Sequence, residues 1–498
     1  MIRPSRARFL MAERPEPLVA SLPLPEPDPL ALARRIALPG RPWFLLESGK
    51  GAEGGARYSF FGSDPYLVVS GKDGRHTQQT RDRSVAHDSS PFEALCHILR
   101  ESRQARPEGL PPFFGGAVGF FAYDLVRQFE RVPTIARDDL QTPDLTFGFF
   151  DLIGAIDHAT ETLHLIFAPP AERLFGEPRE KLYREGCDRL AAFEAQLTAK
   201  RLASTTVPVL HPLLVTPGQS RAAYMDRVRA AQDYIRAGDI YQANLSHRFE
   251  VAGLAAAAAP DLYARLRAVN PSPFGGIMDF GDLCLVSSSP ERLVRLEGRK
   301  ADTRPIAGTR PRGRTLAEDR RLAEDLLTNA KERAEHVMLV DLARNDLGRV
   351  CRYGTVQADE LMVIERYSHV SHIVSNVSGL LRDGLDGFDL VRAIFPGGTI
   401  TGVPKIRCME IIEALEPVRR GSYTGSMGYL SWSGDLDLNI VIRTLALAKT
   451  AGYVQVGAGI VADSDPAKEY DETLFKAEAL LKALAPRDPA ADAPRPTP

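Results

Sequence analysis

Two pairs of glutamates have the spacing of a carboxylate site on a helix. Glu332 and Glu335 are three residues apart in NAKERAEHVMLVDLARNDLGR, and Glu469 and Glu472 repeat the spacing in AKEYDETLFKAEAL. Residues three apart share a helix face, so each pair directs two carboxylates the same way. Two such helices could hold a hard divalent cation, and magnesium fits best because it takes few protein ligands and keeps several waters. The same spacing is also ordinary on solvated helices.

Polar groups inside apolar runs and glycine-rich loops form a second set of candidates. His372 in YSHVSHIVSNVSG and Arg443 in NIVIRTL are polar residues within strand-like segments, where a buried, hydrogen-bonded structural role is the common one. The loop FPGGTITGVPK precedes a predicted helix, so its amides and Lys405 could meet an anion. Neither this loop nor GAG at Gly457–Gly459 has the spacing of a phosphate or dinucleotide motif.

Familiar covalent machinery is not visible in the sequence. There is no G-x-S-x-G elbow, and no convincing Ser/His/Asp or Cys/His set stands out. The five cysteines are scattered, without a C-x-x-C pair or a neighbouring histidine cluster at zinc spacing. We therefore interpret them as reduced packing residues and disfavour acyl-transfer chemistry.

The elements that must position these residues follow from periodicity. WFLLES and ARYSFFGSDPYLVVSG alternate apolar runs with turn residues and predict strands, and TFGFFDLIGAIDH with TLHLIFA predicts a hairpin. Apolar residues at steps of four, three and four from Tyr224 to Ile235 predict a helix that ends at Gly238. The strand YQANLSHRF follows, and further helices are predicted at 315–342 and 405–415.

Strands and helices alternate without a regular strand-helix-strand repeat, which predicts an α+β fold with mixed, mostly antiparallel sheets and flanking helices. A Thr-, Val- and Pro-rich connection near residue 205 divides the chain into an N-terminal β-rich module, 1–205, and a second domain, 206–485. The tail, 486–498, is rich in Ala, Pro and Asp and is predicted to be disordered.

Composition narrows the class of partner. The 498 residues include 62 basic and 64 acidic side chains, a net charge of -2, so no global field favours nucleic acid or an anionic membrane. The N-terminus lacks the apolar core of a signal peptide, and no run approaches the ~20 apolar residues that would span a bilayer. We expect a cytoplasmic protein with no nucleic-acid or membrane partner, which captures anionic ligands locally.

Motifs along most of the chain resemble the chorismate-utilising enzymes, in particular component I of aminodeoxychorismate synthase and of anthranilate synthase. In chain order they are LLES, ARYSFFGSDP, GDIYQANLSHRF, NPSPF, SSSPERL, PIAGTRPRG, KERAEHVMLVDLARNDLGRV, YSHVSHIVSNVSG, FPGGTITGVPK, RRGSYTGSMGYL, NIVIRTL and GAGIVADSDPAKEYDET. The resemblance implies an anthranilate synthase component I-like fold, with 206–485 as the chorismate-binding catalytic domain.

The resemblance also implies a set of site residues. Magnesium would be held by Glu335 and Glu472, with Glu332 and Glu469 in or just outside the coordination shell. The substrate's two carboxylates and its ring would be contacted by Lys476, the amides around Gly457 and Gly459, Tyr423, Arg443, Gly308, Thr309 and Thr399. His372 would assist departure of the C4 hydroxyl. Magnesium on the ring carboxylate would withdraw electron density from the diene, which favours loss of hydroxide.

Two positions bear on the reaction. Relatives that add water to chorismate carry a lysine base where this chain has Gln242, and a neutral amide cannot abstract a proton from water, so amination is favoured. Many aminodeoxychorismate synthases have a nucleophilic lysine at the position of Ala307, whereas anthranilate synthases usually have alanine. Against anthranilate formation stand Asn244 in YQANLS, the NPSPFGGIMDF segment, FPGGTITG and NIVIRTL. A branch of aminodeoxychorismate synthases also has alanine, so the resemblance favours aminodeoxychorismate, with anthranilate as the alternative.

The resemblance implies ligands and partners beyond chorismate and ammonia. Glu47 and Ser48 of LLES, with Pro271 and Phe274 of NPSPF, match the family's tryptophan pocket, which is inhibitory in some members and structural in others. Because no glutaminase module is recognisable, a separate glutamine amidotransferase subunit is expected to deliver the ammonia through an internal passage. A chorismate-binding regulator without activity is the non-enzymatic alternative, which the set Glu335, Glu472, His372 and Arg443 disfavours.

Overall fold

The computed structural model describes residues 2–47, 57–199, 213–254, 256–366, 370–448 and 451–485, and these ranges form 25 strands and 12 α-helices. The strands are β1 Ile2–Arg3, β2 Leu18–Pro23, β3 Trp43–Glu47, β4 Tyr58–Ser63, β5 Leu67–Lys72, β6 Arg75–Gln79, β7 Ser84–His87, β8 Gly116–Phe121, β9 Leu145–Phe150, β10 Leu152–Asp157, β11 Thr162–Phe167, β12 Leu214–Pro217, β13 Gln242–Ala252, β14 Phe274–Asp279, β15 Leu283–Ser289, β16 Arg292–Glu297, β17 Lys300–Thr303, β18 Ile306–Pro311, β19 Gln357–Arg366, β20 Val370–Leu380, β21 Gly402–Val403, β22 Ser426–Ser431, β23 Leu436–Asn439, β24 Thr444–Ala448 and β25 Ala451–Ile460. The helices are α1 Arg6–Met11, α2 Pro29–Ile36, α3 Pro91–Glu101, α4 Ala171–Gly176, α5 Arg179–Thr198, α6 Arg221–Arg236, α7 Ala259–Val269, α8 Leu316–Thr328, α9 Ala330–Gly348, α10 Gly387–Ile394, α11 Lys405–Leu415 and α12 Pro466–Leu484.

The strands form two large sheets. Sheet A has 13 strands in the order β1-β2-β11-β10-β4-β3-β14-β15-β24-β25-β13-β12, with β21 paired to β13. Sheet B has 12 strands in the order β18-β20-β17-β16-β23-β22-β8-β9-β5-β6-β7, with β19 paired to β20. The strand pairs within both sheets are antiparallel. The predicted α+β fold with mostly antiparallel sheets is confirmed.

The segments before and after the predicted boundary share both sheets. Residue 205 itself lies outside the described residues, as does the tail 486–498. In sheet A, Leu45 of β3 pairs with Ile277 of β14, and in sheet B, Gly119 of β8 pairs with Gly428 of β22. Each segment therefore completes the strand edges of the other, which leaves fewer backbone groups unpaired than two separate sheets would.

The apolar residues form two main cores. The larger core includes Phe44 and Phe60 of sheet A together with Phe120 and Phe147 of sheet B, so it lies between the two sheets. The second core packs helices such as α2, α5, α7 and α12 against other side chains of sheet A. These buried aromatic side chains fix how the two sheets face each other, and therefore where the loops at the sheet edges meet.

Local predictions are mostly confirmed, with one correction. The hairpin β10–β11 closes at Asp157 and Thr162, and α6 covers the predicted periodic stretch. The helix predicted at 315–342 was wrong, because α8 ends at Thr328 and α9 begins at Ala330. Asn329 caps α9 by accepting a hydrogen bond from the Glu332 amide, and such a cap interrupts a continuous helix. Within the described ranges, no helix is both long and apolar enough to cross a bilayer.

Candidate active site

Strands β13 and β25 form one wall of the site, and two glycines make it accessible. Asn244 lies opposite Gly459 in the strand pair. A Cβ atom on Gly457 would lie 2.7 Å from Asn244 Oδ1 and 2.8 Å from Tyr423 Oη, and a Cβ atom on Gly459 would lie 2.6 Å from Gln242 Nε2. A side chain at either position would therefore displace polar side chains of the site, and at Gly457 it would also meet the Leu245 carbonyl oxygen at 2.7 Å.

A β-bulge in β18 forms the opposite wall. The register between β18 and β20 shifts between Ala307 and Thr309, and Gly308 has φ +63°. His372 Nδ1 lies 3.0 Å from the carbonyl oxygen of Gly308 and 3.0 Å from Thr309 Oγ1. Because a carbonyl oxygen can only accept, Nδ1 carries the hydrogen, which leaves the lone pair of the neutral ring on Nε2.

The charge state of His372 bears on its predicted role. Burial and, to a smaller extent, the neighbouring positive charge of Arg443 lower the pKa of His372 to about 4. The imidazole is therefore neutral at neutral pH, and its Nε2 atom accepts rather than donates. A neutral imidazole with this tautomer can orient a substrate hydroxyl by accepting its hydrogen bond at Nε2. The predicted role of His372 in assisting departure of the C4 hydroxyl stays a prediction.

Glu291 is a site residue that the sequence prediction missed. Its side chain is 6% exposed, just before β16, and burial raises its pKa to about 7, although the Thr399 hydroxyl, Arg443 and the Ile306 amide favour the charged form. A carboxyl with a pKa near 7 is protonated in about half of the molecules at neutral pH and is suited to general acid catalysis. The motif SSSPERL contains this glutamate directly after an apolar, strand-like run. That position indicates a functional residue only once the structure shows that the carboxyl group is buried.

Arg443 lies in the connection before β24 rather than inside a strand, which corrects the interpretation of NIVIRTL as one strand-like run. Its φ is +49°, a left-handed conformation that is uncommon for a residue with a side chain, and its carbonyl accepts a hydrogen bond from the Ser288 amide at 3.1 Å. Its charge acts on both Glu291 and His372. Backbone strain of this kind is retained where the surrounding structure holds a functional side chain in place.

Lys476 and Tyr423 complete the polar lining. Lys476 Nζ donates a hydrogen bond to the Gly457 carbonyl at 3.1 Å and lies 2.7 Å from Glu472 Oε1. Tyr423 is buried, and burial raises the pKa of its hydroxyl, so it remains a neutral hydrogen-bond donor. The predicted substrate-binding residues thus converge on one region with cationic and neutral donors suited to carboxylates.

The four predicted metal ligands lie on α9 and α12 and influence one another. Burial raises the pKa of Glu335, and the negative charges of Glu332 and Glu469 raise it further. Burial likewise raises the pKa of Glu469, to which repulsion from Glu472 contributes. Carboxylates that raise each other's pKa form a local excess of negative charge that a divalent cation would relieve.

These donors fit magnesium in their chemistry but are not gathered around one point. Among the described residues, no group of three or more His, Cys, Asp or Glu side chains is close enough to hold a metal ion. Glu332 Oε1 accepts a hydrogen bond from Arg310 Nη1 at 3.0 Å, and Glu472 pairs with Lys476. Two of the carboxylates must therefore exchange a protein cation for the metal if all four are to participate.

Lys405 does not belong to an anion site. Its Nζ atom donates to Asp346 Oδ2 at 2.6 Å and to the Ile394 carbonyl at 2.7 Å. The possibility that Lys405 meets an anion beside the loop before α11 is therefore not supported, because a buried carboxylate on α9 already neutralises this ammonium group.

A separate cavity of about 520 Å³ lies at the predicted tryptophan pocket. Glu47 and Phe274 line it, whereas Pro273 rather than Pro271 contacts it, and Ser48 lies outside the described residues. The Glu47 carboxylate accepts hydrogen bonds from Tyr263 Oη at 2.6 Å and Arg267 Nη1 at 2.8 Å. Pro271 does not line this cavity, and its predicted role in a tryptophan pocket stays a prediction.

Known proteins that are similar to this chain are enzymes. Residues 42–482 match the family described as chorismate binding enzyme. The chain is 44% identical over 495 residues to anthranilate synthase component 1 of Thermus thermophilus, covering 97% of this chain and 98% of the relative. It is 42% identical over 480 residues to aminodeoxychorismate synthase component 1 of Bacillus subtilis, covering 95% and 98%. The crystal structure of anthranilate synthase component I from Streptococcus pneumoniae superposes with a TM-score of 0.75 at 34% identity, covering 85% of this chain and 92% of that one.

Proposed function

Because the chain belongs to the family of chorismate binding enzymes and is of the anthranilate and aminodeoxychorismate synthase component I type, we propose that it aminates chorismate at C4. The product is 4-amino-4-deoxychorismate, and the chain is then component I of an aminodeoxychorismate synthase. One ammonia molecule enters and one water molecule leaves, and the enolpyruvyl group is retained.

One observation carries this proposal. The Asn244 Oδ1 and Gln242 Oε1 atoms are buried and have no hydrogen-bond partner among the described residues. Buried acceptors without partners are costly, so a donor from a ligand is expected to satisfy them. Ammonia offers N–H donors, whereas neither carboxamide can act as a base toward water, which supports amination over hydration. Asn244 also belongs to the YQANLS motif that favours aminodeoxychorismate over anthranilate.

The protonation states of Glu291 and His372 support loss of the C4 hydroxyl. The protonated Glu291 carboxyl donates its proton to the hydroxyl oxygen as the C4–O bond breaks, so the leaving group departs as water. His372 Nε2 accepts a hydrogen bond from the same hydroxyl and holds it in place. Ammonia then forms the C4–N bond and returns a proton to the Glu291 carboxylate, which restores the starting state.

The cationic groups orient the substrate. Arg443 and Tyr423 would bind the enolpyruvyl carboxylate, since a guanidinium grips a carboxylate at two points and fixes its plane. Lys476 and the amide of Gly459 would bind the ring carboxylate. Gly308, Thr309 and Thr399 would contact the ring between these two anchors.

Magnesium would be held by Glu335 and Glu472, with Glu332 and Glu469 in or just outside its coordination shell. When bound, it withdraws electron density from the diene through the ring carboxylate. The four glutamate carboxylates make this side of the site anionic. They would repel the ring carboxylate of the substrate unless a cation lies between them. Glu335→Gln is expected to abolish turnover, and an unaffected rate would contradict the assignment of Glu335 to the metal site.

Ammonia is proposed to come from a separate glutamine amidotransferase subunit. The sequence contains no recognisable nucleophilic cysteine elbow with distant His and Glu residues. We therefore expect the purified chain to use ammonium but not glutamine. Full glutamine-dependent turnover by the chain alone would contradict a two-subunit enzyme.

Anthranilate formation with loss of pyruvate is the second candidate, and Ala307 is the observation that favours it. Incubation with chorismate, magnesium chloride and ammonium chloride, with and without added aminodeoxychorismate lyase, separates the two. p-Aminobenzoate that forms only with the lyase supports C4 amination. Anthranilate formed without the lyase supports the second candidate and rejects the first.

The cavity beside Glu47 and Phe274 is proposed to bind tryptophan. Its volume of about 520 Å³ and its aromatic and charged lining suit an aromatic amino acid. Calorimetry with tryptophan tests binding, and the amination rate at saturating tryptophan shows whether the ligand is inhibitory or structural. Strong inhibition would favour the anthranilate alternative.

A further inference from the structure

Lys331 lies between two acidic partners at the edge of the proposed metal site. Its Nζ atom is 3.1 and 3.2 Å from the two carboxylate oxygens of Asp463 and 3.9 Å from Glu335 Oε1. The negative charge of Glu469 also acts on it. The ammonium group therefore occupies the same anionic region that a divalent cation would enter.

The ion pair between Lys331 and Asp463 also connects two helices. Lys331 is in the first turn of α9, and Asp463 is in the turn between β25 and α12. The ion pair thus joins the beginnings of the two helices that carry all four glutamates. Both side chains are largely exposed, 54% and 69%, so neither is needed to fill the core.

We propose that Lys331 is a positioning residue whose ammonium group opposes binding of the divalent cation at Glu335, and that Asp463 limits this opposition by holding the ammonium group away from Glu335. This inference rests on the metal assignment in the proposed function. A divalent cation on Glu335 would repel an ammonium group that lies 3.9 Å from the same carboxylate. Asp463 reduces this repulsion because its carboxylate holds the ammonium group at hydrogen-bond distance and partly neutralises it.

The two residues therefore have opposite effects on metal affinity. Lys331→Met removes the competitor and is expected to tighten metal binding. Asp463→Asn removes the carboxylate that holds Lys331 away from Glu335 and is expected to weaken binding. Exposed ion pairs contribute about 0.2–1 kcal/mol, which corresponds to about a 1.4- to 5-fold change in each direction. A purely structural tether between α9 and α12 would instead make both substitutions weaken binding.

The test measures the affinity of the intact protein for Mn²⁺ without substrate, by electron paramagnetic resonance. Mg²⁺ is added as a competitor for the same site. Lys331→Arg should retain wild-type affinity, and Lys482→Met is the matched control because Lys482 pairs with Glu478 further along α12. Circular dichroism confirms that each variant is folded. Opposite shifts for Lys331→Met and Asp463→Asn support the proposal.

Unchanged affinity in both variants, or shifts in the same direction, would overturn the proposal while leaving the metal assignment intact. Absence of Mn²⁺ binding by the wild-type protein would reject the metal assignment and this inference with it. The wild-type measurement therefore distinguishes failure of the proposed function from failure of the role of Lys331.

Discussion

The Nδ1 atom of His372 lies 3.0 Å from the carbonyl oxygen of Gly308, the glycine at the bulge of β18. The contact joins His372, near the start of β20, to an edge strand at the point where the edge strand loses its regular register. It fixes the tautomer of the imidazole and at the same time holds the bulge that presents Thr309 to the site. Substitutions at either residue should therefore disturb more than one function.

Gly308→Ala is expected to impair both stability and turnover. A left-handed backbone costs a non-glycine residue about 1–2 kcal/mol. At Gly308 the new Cβ atom would also lie 2.8 Å from Glu332 Oε2 and 2.8 Å from Leu326 Cδ1, which displaces a proposed metal ligand. Thermal unfolding and kcat for ammonium-dependent turnover measure the two effects.

Gly298→Ala is the matched control for this substitution. Gly298 has φ +60°, close to the +63° of Gly308, but a Cβ atom there would meet nothing within 4 Å. Both variants should lose a similar amount of stability from backbone strain, and only Gly308→Ala should lose activity. Equal activity in the two variants would show that the contact with Glu332 is unimportant.

Glu291→Gln is expected to reduce kcat by about 10²- to 10⁴-fold, the usual contribution of a general acid. The pKa of Glu291 is raised to about 7, so the acid form persists to that pH and the wild-type rate should fall as pH rises through about 7. The variant should lose this limb of the pH profile. Glu297→Gln, at the exposed end of the same strand, should retain both rate and profile; a similar loss there would argue against a specific role for Glu291.

His372 is expected to remain neutral across the pH range in which the enzyme is assayed. Burial lowers its pKa to about 4, so its ring signals in NMR spectra should not titrate between about pH 5 and 8. Because the lowered pKa favours the neutral folded state, the free energy of unfolding should decrease as pH falls from 6.5 towards 4. A midpoint near 6.5 in the NMR titration would show that the ring is solvated and would contradict the neutral acceptor role of His372.

Asn244→Leu is expected to raise the KM for ammonium by about three- to tenfold, the size of one lost hydrogen bond, with a smaller effect on the KM for chorismate. The physical reason is the loss of the buried Oδ1 acceptor that has no partner among the described residues. Asn376→Leu, whose amide pairs with Asp359 at the surface of β20, is the control. If the KM for ammonium stays unchanged while the KM for chorismate rises, Asn244 binds the substrate rather than the nucleophile.

Much of this protein is determined by local sequence. The hairpin at β10–β11, helix α6 and the capped start of α9 follow from residues within a few positions of one another, because periodicity, turns and caps act over short distances. The motifs were also sufficient to identify the family. They placed the predicted glutamates, His372 and Lys476 in one site without any knowledge of its geometry.

Tertiary structure alone decided the chemistry of individual groups. Glu291 is an ordinary glutamate in sequence, and it becomes a candidate acid because remote strands and loops remove water from it and raise its pKa to about 7. His372 became a neutral acceptor for the same reason. The cations that pair with Glu332 and Glu472 could not be assigned from spacing either, because ion pairs depend on which side chains the fold brings within a few ångströms. Desolvation and charge proximity are properties of the packed chain, and the sequence determines them only through the complete fold.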